Sequence, residues 1–174
     1  LSLQILIQNL LYDLSQLSLP WDRMDKEFLR RPRKWDPKGI ARFMINIGPI
    51  SSVFDVLTFL VMWYVFRANS EAAQSLFHSG WFIEGLLSQT LIVHMIRTEK
   101  VPFLQSTAAP AVMLLTGAIM AVGVFLPFSP WGGLVGLRPL PWSYFPWLAG
   151  MLLAYCALTQ LVKTWYVRRF KAWL

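Results

Sequence analysis

The sequence predicts an all-α membrane protein, a bundle of five transmembrane helices, and three observations carry that expectation. Apolar residues make up 56% of the 174 residues and charged residues only 14%, against roughly 25% charged in an ordinary globular protein. The apolar residues gather into five long segments, about 1–19, 43–66, 77–96, 108–126 and 143–162. Each is long enough for a helix to cross a hydrocarbon core about 30 Å thick. The basic residues, finally, are concentrated in alternate connections. Of sixteen Lys and Arg, eight lie between Arg23 and Arg42, two (Arg97 and Lys100) follow the third segment and four end the chain, which leaves Arg67 and Arg138 for the other two connections. Such an asymmetry puts the basic connections in the cytoplasm, the first residues outside and the C-terminus inside.

A net charge of +7 would by itself suggest nucleic acid. Its placement next to membrane segments explains it better, and nucleic-acid binding is set aside. The polybasic end, with Trp165, Tyr166 and Trp173, suits the anionic lipid of a cytoplasmic leaflet. A soluble helical bundle would need polar stripes far wider than these segments show. Cys156 is the one cysteine and lies within a segment, which excludes a disulfide framework and a thiolate metal site.

The first segment, LSLQILIQNLLYDLSQLSLP, ends at Pro20. On a helical wheel Leu3, Leu6, Ile7, Leu10, Leu14 and Leu17 share one side, and Asn9, Asp13 and Gln16 share another at i, i+4 and i+7, flanked by Gln4, Gln8 and Ser15. A carboxylate near the bilayer centre costs a few kcal/mol or more, so Asp13 needs a counter-charge, a proton, water or a cation. Asn9, one turn away, adds a carbonyl oxygen, and the two form half of a site for a hard cation such as magnesium or calcium. Hydrogen bonding to neighbouring helices is the plainer alternative for a single polar residue; the size of this face favours ion handling.

The connector 21–42, with WDRMDKEF and PRKWDP, contains Pro32 and Pro37, which predicts an ordered but largely non-helical stretch. In the second segment Gly48-Pro49 loosens the helix ahead of Asp55. Asp55 either lines an ion path or ties helices together through Ser51 and Ser52, and the second reading is favoured. Residues 67–76 form a short external connection. In the third segment Glu84 and Ser88 share a face at i and i+4, either as additions to the Asn9 and Asp13 site or as a protonated or water-bonded pair. His78 and His94 lack ligand spacing and read as packing residues. RTEKVPF, 97–103, reads as a tight turn. Gly117 with Ala121 and Gly150 with Ala154 have the spacing that permits close helix approach. The stretch 127–146 has five prolines and three glycines, which argue against a helix there. The sequence contains neither a phosphate-cradling loop nor a hydrolytic triad.

These residues carry a resemblance. LSLQILIQNLLYDLSQLSLPWDRMDKE resembles the sixth transmembrane helix of P-type cation-transporting ATPases and the loop after it. RFMINIGPISSVFDVLTFLVMWYVF, GWFIEGLLSQTLIVHMIRTEKVPFLQS and SYFPWLAGMLLAYCALTQLVKTWYVRRF are similar to the seventh to tenth helices of the bacterial magnesium-transporting P-type ATPases. The resemblance covers essentially the whole chain. It implies that the bundle is part of a P-type ATPase membrane domain, with Asn9 and Asp13 on the asparagine and aspartate that supply transported-ion ligands. Tyr12 stands where calcium pumps carry a ligating threonine, a departure that weighs against calcium. Glu84 falls on an acidic position of the eighth helix that contributes to a calcium-pump site. Taken with the reading of the residues above, Gln16, Tyr12, Glu84, Ser88 and Asp55 are candidates for a second tier of the ion pathway.

By the same resemblance the full protein would hydrolyse ATP through an aspartyl-phosphate and move Mg²⁺ inward across a bacterial inner membrane. Mg²⁺ would also accompany ATP. The DKTG phosphorylation motif, the nucleotide-binding and actuator domains and helices one to five are absent from this sequence, which is expected to be the C-terminal part of something longer. These 174 residues would not be an enzyme alone. Two other readings of the polar face stay open at this point, an ATP-independent cation carrier or channel and a structural membrane domain that docks another subunit.

Overall fold

The computed structural model describes residues 2–23 and 36–170, and every named element in it is helical. The polybasic pieces of the first connector and Trp173 lie outside the described residues. Helix α1 spans Ser2–Gln16 and is followed by a 3-10 turn at Leu19–Trp21 built on Pro20. Helix α2 spans Pro37–Leu60 and runs on into a π-helical turn, Val61–Val65. Helix α3 spans Gln74–Ile96, and α4 spans Pro110–Phe125. A short α5, Pro130–Leu134, precedes the long α6, Tyr144–Phe170.

Two proline-rich stretches expected to be non-helical contain helix. Pro37 starts α2 rather than interrupting the chain, because a proline at the first helical position gives up an N–H that has no intrahelical partner anyway. Asp36 caps that start by accepting from the Lys38 N–H at 3.2 Å. Pro130 does the same for α5, so a turn and a half of helix stands inside the 127–146 connection.

Three helices are long and apolar enough to cross a membrane: Pro37–Val65, Pro110–Phe128 and Tyr144–Phe170. With the all-helical bundle they make this an all-α membrane protein. Helix α3 has the length, but Ser79, Glu84, Ser88, Gln89, Thr90 and His94 lower its hydropathy. It can carry them because it is the central element, packed against α1, α2, α4 and α6. Phe82, Ile83 and Leu86 have no exposed surface, and the buried polar residues of α3 meet protein rather than lipid.

Packing between helices follows from side-chain size. Phe43, Ile47, Ile50 and Phe54 of α2 meet Met151, Tyr155 and Tyr166 of α6, with Phe54 and Tyr155 edge to face at 5.4 Å. The close approaches fall at glycines other than those the spacing suggested. Gly123 of α4 seats Leu86, Gly80 seats Met62, and Gly85 of α3 seats the Gln8 amide of α1, where an added Cβ would come within 2.7 Å of Nε2. Gly117, Ala121, Gly150 and Ala154 are exposed. Gly150 and Ala154 instead line a groove of about 350 Å³ between α2 and α6, with Leu57, Val61 and Trp147. A branched side chain at position 85 cannot be absorbed by moving one amide, so Gly85→Leu is expected to cost about 1–3 kcal/mol by overpacking the α1–α3 contact. A lower thermal unfolding midpoint of the intact protein in detergent checks this.

Candidate cation site

The polar surface of α1 divides into two faces. Gln4, Gln8 and Ser15 are buried against the rest of the bundle. Gln4 Nε2 donates to the Val135 and Gly136 carbonyls at 2.9 and 3.1 Å, and Gln8 Nε2 donates to Gln89 Oε1 at 3.3 Å. These amides fasten α1 to α3 and to the loop before α6. Asn9 and Asp13 point elsewhere, and both are exposed. At about 100° per residue they lie about 100° and 140° around the helix from Gln8. Tyr12 is half-buried beside Asp13, and Gln16 donates to Ser15 Oγ at 3.0 Å. An amide and a carboxylate one turn apart on α1, turned out of the packed core, present oxygen atoms to whatever meets that face.

Glu84 and Ser88 belong to a different interior. Helices α1 and α3 do touch, but through Gln8 with Gly85 and Gln89 rather than through Asn9 or Asp13. Glu84 sits near the middle of α3 and is 1% exposed. It is faced by the Thr58 and Ser88 hydroxyls, and its Oε2 has no hydrogen-bond partner among the described residues. A buried carboxyl whose neighbours are two hydroxyls and a second carboxyl, Asp55, is expensive as an anion. The described bundle therefore does not bring Glu84 into one ligand set with Asp13, and no group of three His, Cys, Asp or Glu side chains assembles among the described residues. Asp55 accepts from the Trp81 indole N–H at 3.3 Å and so ties α2 to α3. Ser51 pairs instead with the Tyr155 hydroxyl at 3.1 Å, and Ser52 is exposed. His94 is buried, with Nε2 3.0 Å from Thr116 Oγ1, a packing role as expected.

Sequence reasoning counted Asp22, Arg97 and Lys163 only as loop or boundary charges, and each holds helices together. Arg97 Nε donates to Asp22 Oδ2 at 2.6 Å and Arg97 Nη2 to Oδ1 at 3.3 Å, while the Ala109 N–H donates to the same Oδ1 at 2.8 Å. Lys163, on α6 and 1% exposed, donates to the Met95, Thr98 and Lys100 carbonyls at 2.9, 3.2 and 2.8 Å, at and beyond the α3 C-terminus. The signal for the first pair was weak, an acid directly after a proline turn and an arginine directly after an apolar run.

Burial pushes the Asp22 carboxyl up, but the Arg97 and backbone hydrogen bonds and the Arg97 charge outweigh it and hold the group below its ordinary value of 3.8. A depressed folded value stabilises the fold fully above 3.8 and loses that contribution as pH falls through the lower folded value. The difference in thermal midpoint between the natural protein and Asp22→Asn is accordingly expected to be present at pH 7 and to vanish in strong acid.

An all-helical bundle with membrane-crossing helices and a polar first helix belongs to a recognisable class. Residues 1–165 match the family described as cation transporting ATPase, C-terminus, and the chain belongs to that family. It is 65% identical over 173 residues, 99% of its length, to the magnesium-transporting ATPase, P-type 1, of Salmonella typhimurium strain LT2. It is 56% identical over 170 residues, 98% of its length, to the protein of the same description in Escherichia coli K12. The chain spans 19% of the length of each.

Proposed function

We propose that the chain is the C-terminal membrane part of an ATP-driven magnesium importer, in which α1 supplies Asn9 and Asp13 to the path of the transported ion. The observation that carries the reading is that Asn9 and Asp13 are exposed together, one turn apart, on the broad part of α1 that its own bundle leaves uncovered, beside the exposed Leu6 and Leu10. A carboxylate turned toward lipid would be costly. Further helices of the same pump, bearing the other ligands, are the partner that removes this cost, and ATP would act in its cytoplasmic domains. Magnesium fits the donor set: it keeps part of its water shell, and Gln16 and Tyr12 flank the two ligands as hydrogen-bonding groups for bound water. Glu84, Ser88 and Asp55 are assigned to a second tier that shapes the bundle around the path.

The same reading includes five membrane spans, α1 and the centrally packed α3 among them, in a bacterial inner membrane. Its orientation rests on charge. Arg97 meets Asp22, Arg42 lies over the Phe170 ring and Lys163 meets the end of α3, which gathers the basic connections at one end. That end faces the cytoplasm and its anionic lipid. An ATP-independent carrier is the rival. Intact protein in liposomes is expected to move Mg²⁺ only when ATP is supplied on the side of the basic loops; equal flux without ATP would replace the pump by a carrier.

A further inference from the structure

We infer that Asp22 and Arg97 form a positioning clamp that sets the height and rotation of α1, and through it the presentation of Asn9 and Asp13. The inference rests on the ion-path reading above for its functional part. Its geometric part stands on the structure alone.

Arg97 is the C-terminal capping residue of α3, its N–H bonded to the Val93 carbonyl at 3.1 Å. Its guanidinium reaches back across the bundle with every nitrogen engaged. Nε and Nη2 fork the Asp22 carboxylate, Nη2 also donates to the Arg23 carbonyl at 3.0 Å, and Nη1 meets Ser106 Oγ at 3.3 Å and the Ser106 carbonyl at 3.4 Å. The two side chains are only 7% and 11% exposed, so water and salt screen the pair far less than a surface bridge. Asp22 is shared three ways. It ends the turn after α1, it is held by the arginine that ends α3, and it accepts from Ala109, the N-terminal capping residue of α4. One carboxylate thus joins three helix ends.

The anchor on the far side is rigid. Lys163 of α6 holds the end of α3 through three carbonyls, and His94, in the last turn of α3, is pinned to Thr116 of α4. Asp13 lies nine residues before Asp22. The other polar ties of α1, at Gln4 and Gln8, are neutral amide bonds to its outer half and middle. The charged, forked tie is the strongest of the three, and it is the one at the cytoplasmic end. Loosening it frees α1 to slide or turn by a fraction of a helical step, and a misplacement of about 1 Å is enough to spoil a ligand set.

Two conservative variants separate positioning from bulk stability. Arg97→Lys keeps the charge and loses the fork. Asp22→Asn keeps the size and an acceptor for Ala109 and loses the charge. In the intact protein, with Cys156 and any other reactive cysteine replaced, spin labels at Leu3 of α1, turned away from Asn9 and two to three turns from Asp13, and at Leu114 of α4, both exposed, report the α1 position in liposomes. Mg²⁺ uptake is measured against external Mg²⁺ at fixed internal MgATP. Both variants are expected to shift or broaden the label distance and to raise the Mg²⁺ concentration for half-maximal uptake by about tenfold, with the maximal rate changed less than about twofold. The double variant should be no worse than either single one, because both remove the same tie. An unchanged distance overturns the clamp, whether or not the uptake curve moves. A shifted distance with unchanged half-saturation leaves the clamp standing and removes Asn9 and Asp13 from the ion path.

Discussion

Asp13→Asn in the intact protein is expected to reduce Mg²⁺ uptake to background while leaving the amount of protein in the membrane near normal. Asp13 is exposed on α1, with the Asn9 carbonyl oxygen one turn away on the same face. The amide has the shape of the acid, so packing is preserved, but the negative charge that draws a divalent ion out of water is gone. Asp55→Asn is the internal comparison, a carboxyl inside α2, a helix long and apolar enough to cross the membrane. The carboxyl accepts from the Trp81 indole N–H, a neutral donor at 3.3 Å. An amide oxygen accepts that bond nearly as well, and a bond of this kind is worth about 1 kcal/mol. Uptake should therefore fall by less than about threefold. Cellular uptake of both variants, normalised to membrane protein, decides between them. Full uptake with Asp13→Asn, or a loss confined to Asp55→Asn, would move the ion site to another helix.

Lys163→Met is expected to be the most destabilising single change in the bundle, at about 3 kcal/mol or more. The aliphatic stem is replaced at nearly equal volume, so the cost comes from the head group. Three backbone carbonyls, of Met95, Thr98 and Lys100, accept from one buried ammonium, and a hydrogen bond to a charged group contributes a net of about 1.5–3 kcal/mol. Met95 lies in the last turn of α3, and Thr98 and Lys100 follow directly. Carbonyls there carry the negative end of the helix dipole, which a cation offsets. Thermal unfolding of the intact protein in detergent measures the loss. A midpoint within a degree or two of the natural protein would show that water takes over the ammonium's role.

The all-helical class and the polarity of α1 were legible because they depend on composition and period, which are local. The division of that polarity was not. A wheel shows that Gln4, Gln8, Asn9, Asp13 and Gln16 are polar; it does not show that Gln8 meets Gln89 and Gly85 while Asp13 meets none of them. That outcome depends on where α3 lies. Glu84 illustrates the same limit. Its spacing to Ser88 was correct, yet the partner across the helix interface is Thr58 of α2, a contact between residues distant in sequence. The small-residue pairs failed for a related reason. Spacing permits close approach, but only a facing Leu86, Met62 or Gln8 makes a glycine necessary. Lys163 was misjudged because a lysine near a helix end usually snorkels to water, and here the end of α3 reaches it first.

The most direct test of the account is the coupling of ATP hydrolysis to ion movement by the intact protein in liposomes. Mg²⁺ flux and phosphate release are followed together for the natural sequence, Asp13→Asn and Asn9→Ala. The account predicts flux that requires ATP in the natural protein, no flux above the ATP-free background with Asp13→Asn, and a much weakened flux at low Mg²⁺ with Asn9→Ala. ATP-dependent Mg²⁺ flux at the natural rate in Asp13→Asn would contradict it.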